Sequence, residues 1–159
     1  VNQIISAIDA SSNSLSTESL TESLSQLSTL KEKNNEAIRK LSVTNDSLKA
    51  QYDIYDLANK SVEEIMSLPL DEGTKKNLVT LKNTYEGNNN LIYLLSMNNQ
   101  AIDMTCSTLT TTSSKVKEQL LALRNGLVEL EVGSNTLYSS SKKITEGISS
   151  LYQGTNQLL

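Results

Sequence analysis

The sequence predicts an all-α protein that folds as a long antiparallel helical hairpin, a coiled coil of two helices. The 159 residues include no Trp, no Phe and one Pro, so the chain has few of the large aromatics of a thick core and few of the turn residues of a β fold. Apolar residues recur every seven positions over most of the chain, as they do in coiled coils. The one Pro lies near the middle, close to a Gly, where a chain of two helices would turn.

The turn is predicted at residues 67–74, the segment Ser67-Leu-Pro-Leu-Asp-Glu-Gly-Thr74. Pro ends a helix at or before the residue that precedes it, and Thr is a favourable N-cap. We therefore expect a first long helix over residues 1–66 and a second over residues 75–159, with Thr74 as the N-cap of the second.

The first helix carries a weaker heptad pattern with a disturbance near its start. Ile8 and Leu15 are out of phase with Leu20, and the Ser-rich stretch 10–17 predicts a stutter, bend or break. Further along, the expected seam positions form two interleaved series. They are Leu20, Leu27, Asn34, Leu41, Leu48, Tyr55 and Val62, and Leu24, Lys31, Ile38, Asn45, Tyr52, Asn59 and Met66.

The second helix carries the clearer pattern, which predicts a seam sustained over many heptads. One series is Leu81, Asn88, Leu95, Ile102, Leu109, Val116, Leu123, Leu130, Leu137, Ile144, Leu151 and Leu158. The companion series is Leu78, Tyr85, Ile92, Asn99, Cys106, Ser113, Leu120, Leu127, Ser134, Ser141, Ile148 and Thr155. The stretch Leu91–Leu95 is apolar on more faces than one seam requires, which predicts a third helix or a dimer partner there.

Pairing Met66 with Leu81 sets a register between the two helices. This register places Asn34 beside Ser113 and brings many leucines of the two seams together. An unpaired polar residue in a seam is costly, whereas a paired one fixes the register, so we expect this alignment.

The last third of the chain carries glycines at the heptad spacing: Gly126, Gly133, Gly147 and Gly154, with Ser140 at the remaining position. Each lies three residues after a seam position, which gives the repeat Leu-x-x-Gly. Gly inside a helix costs about 1 kcal/mol relative to Ala, so a stripe of four requires an explanation. One interpretation is that small residues let a neighbouring helix approach closely. The other is a functional one, a softened stalk or a docking groove.

The repeat units are Leu123-Arg-Asn-Gly126, Leu130-Glu-Val-Gly133, Ile144-Thr-Glu-Gly147 and Leu151-Tyr-Gln-Gly154. They resemble the Leu-x-x-Gly heptads of the YhgE/Pip family, the phage infection protein group of Gram-positive membrane proteins. The resemblance covers about residues 116–159. It implies a parent protein with an N-terminal membrane span, a large extracellular helical region that bears these repeats, and several C-terminal spans. It also implies a role as a bacteriophage receptor or in type VII secretion.

From this resemblance we expect a non-catalytic, extracellular coiled-coil stalk or binding segment at the outer face of the cell membrane. The expected partners are a second copy or a higher oligomer, a phage tail protein, or a component of the secretion machinery. Because the chain opens on Val rather than Met and stops in mid-pattern at Leu158–Leu159, we expect it to be a fragment, and the resemblance implies that its parent is anchored in the membrane. Two alternatives remain open. They are the extracellular hairpin of an exporter of the MMPL or RND-like type, and a soluble coiled-coil scaffold.

The residue types argue against catalysis and against nucleic-acid binding. The chain has no His, which excludes His-based acid–base, triad and metal chemistry. Cys106 falls on the seam, where a small buried apolar side chain is expected. The net charge is −4 and no Lys/Arg cluster forms a phosphate-binding face. We therefore predict no catalytic residue, no metal site, no cofactor and no nucleic-acid partner.

The candidate interaction residues are the four glycines and four tyrosines. The tyrosines are expected near the tip of the hairpin, either as core filling or as a patch that binds a partner. The full set is Gly126, Gly133, Gly147, Gly154, Tyr52, Tyr55, Tyr85 and Tyr93.

Overall fold

The computed structural model describes residues 1–14 and 19–157 and confirms the all-α helical hairpin. The elements are α1 (Asn2–Ser14), α2 (Ser19–Ile54), a 3-10 helix (Leu57–Asn59), α3 (Val62–Met66) and α4 (Glu72–Gln157). No β-strand occurs among the described residues. The chain forms two compact units, each of which is considered separately. The hairpin unit comprises Glu22–Leu109, and the terminal unit comprises Val1–Thr21 together with Thr110–Leu159.

In the hairpin unit, α2 packs antiparallel against the first part of α4 through the predicted seam. The buried residues of both helices all belong to the seam series predicted from the heptads. They are Asn34, Asn45 and Tyr52 on α2, and Leu78, Leu81, Asn99 and Ile102 on α4. The faces that the two helices bury were therefore predicted correctly.

The register of the two helices differs from the predicted one. Asn34 was expected beside Ser113, but its Nδ2 donates to Oδ1 of Asn99 at 2.9 Å and to Oδ1 of Asn98 at 2.8 Å. The partner has thus moved from position 113 to position 99, a displacement of two heptads. A heptad pattern looks the same after such a displacement, so the apolar positions alone do not distinguish the two registers.

A second asparagine layer lies closer to the tip and obeys the same register. Asn88 Nδ2 donates to Asn45 Oδ1 at 2.8 Å, and Asn45 Nδ2 donates to Asn89 Oδ1 at 2.9 Å and to the Tyr85 carbonyl at 3.0 Å. In both layers amide groups on α2 meet amide groups on α4, so their hydrogen bonds are satisfied inside the seam. Lys31, the cationic seam residue, reaches outward to Asp103 at 2.6 Å.

The helix bounds near the tip also differ from the prediction. The first helix was expected to run to residue 66, but α2 ends at Ile54, and residues 55–71 form a compact tip rather than a turn confined to residues 67–74. Asp56 adopts a left-handed conformation with φ of 50°, which stops α2. Helix α4 then begins at Glu72, because the Asp71 carboxylate accepts from the Thr74 N–H at 3.0 Å. Asp71, rather than Thr74, therefore caps α4.

The terminal unit contains α1 and the second part of α4. Ile8 of α1 is buried, and Asp9 accepts a hydrogen bond from Arg124 Nε at 2.9 Å, so α1 packs on α4 there. Helix α1 continues to Ser14, so residues 10–14 of the predicted break are helical. Residues 15–17 of that prediction lie outside the described residues.

Beyond α1, every residue of α4 from 132 to 156 is exposed. We call residues 132–156 the uncovered segment. It carries Gly133 and two complete Leu-x-x-Gly units, 144–147 and 151–154, but is not covered by any described residue of the terminal unit.

Candidate interaction surfaces

The tip of the hairpin is organised around a small, closed core. Leu57 of the 3-10 helix and Ile65 of α3 are both 0% exposed. They pack with Tyr52 at the end of α2 and with Leu78 and Leu81 at the start of α4. The tip is therefore a packed substructure, and its position on the two long helices is fixed by side-chain contacts rather than by the turn alone.

A capping box holds the short helix α3 in this core. The Ser61 Oγ accepts from the Glu64 N–H at 3.2 Å, and Glu64 Oε2 accepts from the Ser61 N–H at 2.6 Å. Ser-x-x-Glu ahead of an apolar residue is a sequence signature of a helix start, so this element could have been found from the sequence. It was missed because residues 55–66 also fit the heptad spacing of the first helix.

Two of the four candidate tyrosines form a stacked pair beneath the tip. The rings of Tyr52 and Tyr85 lie 4.1 Å apart between centroids, at an interplanar angle of 25°. Tyr52 is buried, and its hydroxyl donates to Glu86 Oε1 at 2.7 Å. Lys82 also contacts Glu86, and its Nζ donates to the Leu57 carbonyl at 2.8 Å. The pair thus serves as core filling tied to a charged network.

The network shifts the pKa values of both acidic groups in opposite directions. Burial, together with the hydrogen bond to Glu86, raises the pKa of Tyr52 to about 12. The hydrogen bonds from Lys82 and from Tyr52 lower the pKa of Glu86. The neutral phenol and the ionised carboxylate are therefore the stable forms over the physiological range.

The other two tyrosines do not join this stack. Tyr55 follows the end of α2 and is 36% exposed, whereas Tyr93 is 64% exposed and lies eight residues beyond Tyr85 on α4. Two further apolar side chains of this region, Ile54 at the end of α2 and Val62 at the start of α3, are also exposed. These three exposed apolar side chains, Ile54, Tyr55 and Val62, are called the tip patch below.

The four heptad glycines lie on open helix surface. A Cβ atom added at Gly126, Gly133, Gly147 or Gly154 would meet no atom within 4 Å. Among the residues that the structure describes, no close approach of another helix therefore explains these glycines. The stripe either serves a contact with a partner or has no packing role.

The seam side chains of the uncovered segment are exposed as well. Leu137 is 72% exposed and Leu151 is 70% exposed, although they continue the series that is buried at Leu81 and Ile102. Two tyrosines, Tyr138 and Tyr152, directly follow these leucines and are exposed to a similar degree. Exposed apolar side chains that share one helix face are typical of interaction surfaces in general.

Other candidate chemistry is sparse in the described residues. Cys106 is half-buried on the seam, where the sequence predicts it. Residues 1–14 and 19–157 contain no group of three Cys, Asp or Glu side chains arranged to hold a metal ion. Within the same residues, no helix has an apolar stretch long enough to cross a lipid bilayer.

No family model, no curated protein and no solved structure matches this chain.

Proposed function

We propose that the chain is a non-catalytic helical hairpin that serves as an extracellular stalk or binding segment of a bacterial membrane protein of the YhgE/Pip type. The observation that carries the proposal is the exposed Leu-x-x-Gly face of the uncovered segment, on the same helix whose first part is locked against α2. A packed helical hairpin and an exposed apolar helix face in one chain are the two parts that a stalk with a contact surface requires.

The asparagine layers support a mechanical role. Because Asn34 pairs with Asn99 and Asn45 with Asn88, sliding of α2 along α4 would leave buried amides without partners. Leaving such a group unsatisfied costs about 1–3 kcal/mol, so the two helices resist a change of register. A hairpin that does not slide holds its tip at a fixed place relative to its arms.

The tip patch is the surface that we assign to an external partner, such as a phage tail protein or a component of the secretion machinery. Ile54 is 77% exposed at the end of α2, beside the packed core of the tip. An exposed apolar side chain on a rigid support is a favourable anchor for a protein partner.

The first experiment is to determine the reading frame on both sides of this segment and to map its membrane spans with topology tags. One span before the segment and several after it would support the YhgE/Pip assignment. Many spans in a transporter arrangement would favour the exporter hairpin, and no span would leave a soluble coiled-coil scaffold.

The second experiment tests the receptor role with the chain itself. The soluble chain should compete with cells for phage adsorption, and the variant Ile54→Glu with Val62→Glu should compete less well. Lys33→Glu with Lys76→Glu, at exposed positions on α2 and α4, is the matched control and should compete like the wild type. Equal competition by the tip-patch variant would remove the tip as the contact surface.

A further inference from the structure

We propose that the uncovered segment is the interface for a second copy of this chain, which binds parallel and in register. In this dimer, Tyr138 and Tyr152 of each copy pack over Gly133 and Gly147 of the other. The inference goes beyond the proposed function, because it does not depend on a membrane or on an external partner.

The size of the exposed face fits a dimer. Six large apolar side chains that occupy the seam series of the segment, or directly follow a seam leucine, are each more than three-fifths exposed: Leu137, Tyr138, Ile144, Ile148, Leu151 and Tyr152. A Tyr side chain buries about 150–250 Å² when it is fully covered and a Leu or Ile about 60–120 Å², so these six, which are already partly covered, offer on the order of 500 Å² of apolar surface. A standard protein–protein interface buries about 800 Å² on each partner, of which roughly 60% is apolar.

The charges of the segment lie away from this face. Lys142, Lys143 and Glu146 are the charged residues between positions 132 and 156. None of them occupies the seam series or the two heptad positions that flank it towards a partner helix, which are Ser140 and Thr145 in this heptad. A second copy could therefore approach without burying a charge and without placing like charges opposite each other.

The glycine and tyrosine spacing favours a parallel partner. In a parallel coiled coil, the residue just before a companion seam position lies beside the residue that is five positions further along on the other helix. Gly133 is followed by Tyr138 at this distance, and Gly147 by Tyr152. Both halves of the contact, a bulky ring and a notch without a Cβ, are thus present in one sequence. Ser140 and Thr145, which hold the same relation, form a small polar pair.

The same glycines and tyrosines would pack poorly against an antiparallel partner helix. In that arrangement the glycine positions of the two helices flank one side of the seam, and the tyrosine positions flank the other. One flank would be left open and the opposite flank would be crowded. A parallel dimer distributes the volume evenly, with one glycine and one ring at each contact.

Replacing the glycines by alanine should have opposite effects in the two cases. It should stabilise a solitary helix, and it should weaken the proposed dimer. Gly weakens a helix relative to Ala, and a Cβ at Gly133 or Gly147 meets no atom within 4 Å in the single chain. On a solitary helix, Gly133→Ala with Gly147→Ala would therefore only strengthen the helix. In the dimer the added methyl groups would meet the tyrosine rings, and overpacking would weaken dimerisation by about tenfold or more.

The measurement is sedimentation equilibrium of the full chain over a range of concentrations. We expect a transition from the 17.4 kDa monomer to a species of twice that mass, shifted to higher concentration in the double alanine variant. Gly87→Ala is the matched control, since it also lies on α4 with open space around it but outside the segment. It should leave the dimer constant unchanged. A chain that stays monomeric, or a double variant that dimerises as tightly as the wild type, would overturn the proposal.

Disulfide trapping tests the orientation, in a background with Cys106→Ser. Leu137→Cys and Leu151→Cys, each introduced alone, should both form disulfide-linked dimers, because equivalent seam positions meet in a parallel, in-register pair. In an antiparallel pair at most one of the two could meet its own copy, since they lie 14 residues apart. Ser139→Cys, on the far side of the helix, should not crosslink. Crosslinking at one position alone, or at neither, would contradict the parallel arrangement.

Discussion

Between Glu72 and Leu109, the seam of α4 is covered by α2 and by the tip, whereas between residues 132 and 156 the same heptad pattern faces solvent. The covered part contains Asn88 and Asn99, whose amides need partners at one particular register. The uncovered segment has Ser134 and Ser141 at its polar seam positions, and a small hydroxyl is compatible with many neighbours. The comparison shows that a heptad pattern requires some partner helix to cover its apolar face. The polar residues in the seam then restrict which helix, and which register, can serve as that partner.

The largest loss of unfolding free energy is expected from substitutions in the tip core, because its side chains are buried whereas those of the uncovered segment are exposed. Ile65→Ala should lower the free energy of unfolding by about 2–5 kcal/mol, because a fully buried side chain leaves a cavity. Ile144→Ala, at a 63% exposed position, should change it by less than about 0.5 kcal/mol in dilute, monomeric protein. Urea unfolding followed by circular dichroism measures both. Equal losses would show that the tip core does not hold the hairpin together.

An intermediate effect is expected from the asparagine layer nearer the tip. Asn45→Ala should cost about 1–3 kcal/mol of unfolding free energy, since Asn88 and Asn89 lose a shared partner inside the seam. Replacing Asn45 and Asn88 together by Leu should restore most of that loss, because no amide is then left unpaired inside the seam and the exposed Asn89 can hydrogen-bond to water. Asn90→Ala, at an exposed position, is the control for the single change and should be nearly neutral. A single variant as stable as the wild type would exclude a structural role for this layer.

Alkaline pH should lower the free energy of unfolding of the hairpin, because Tyr52 ionises. Its pKa is raised to about 12 in the folded chain, above the ordinary value of about 10. The neutral phenol therefore contributes stability that is complete below pH of about 10 and is lost as the pH rises towards 12. Unfolding free energies of the wild type and of Tyr52→Phe, measured from pH 9 upward, should converge over this range. Tyr138→Phe, in the uncovered segment, should follow the wild-type profile, and parallel curves for Tyr52→Phe and the wild type would disprove the assignment.

The smallest effect is expected from the ion pair on the flank of the covered seam. Lys31 and Asp103 are 2.6 Å apart, but their side chains are 37% and 60% exposed. Asp103→Asn should therefore cost less than about 1 kcal/mol, and the loss should shrink at high salt. Thermal melts at low and high ionic strength test this. A loss that salt does not change would mean that the pair acts by packing rather than by charge.

The fold class and the buried faces could be predicted from the sequence, because a heptad pattern reports directly which side of a helix is covered. The register could not be predicted from the leucines, since these repeat every seven residues. The positions of the asparagines distinguish the two registers. Only the displaced register lets Asn34 meet Asn99 while Asn45 meets Asn88. A rule that the register must form the largest number of asparagine pairs across the seam would have selected it.

The tip was mispredicted for a local reason. Tyr55, Val62 and Met66 continue the seven-residue spacing of α2, and this spacing concealed the capping box of α3. Hydrophobic spacing says where a helix would bury a face, but capping side chains and a left-handed residue decide where it ends. The glycine repeats were recognised in the sequence, but the surface that packs against them could not be derived. A heptad motif shows which face of its own helix is apolar and does not show which helix covers that face.

The closed core at the tip has a consequence for how this architecture can vary. Tyr52, Leu57, Ile65, Leu78 and Leu81 form one cluster, and the arm residues that pack against it, Leu48 and Tyr85, lie within one heptad of it. Inserting seven residues into both arms would keep every seam side chain on its face and would leave this core unchanged. Inserting them into one arm alone would separate the asparagine pairs. The hairpin can therefore be lengthened or shortened only by whole heptads that are added to or removed from both arms together. Each such change moves an unchanged tip further from, or closer to, the other end of the hairpin.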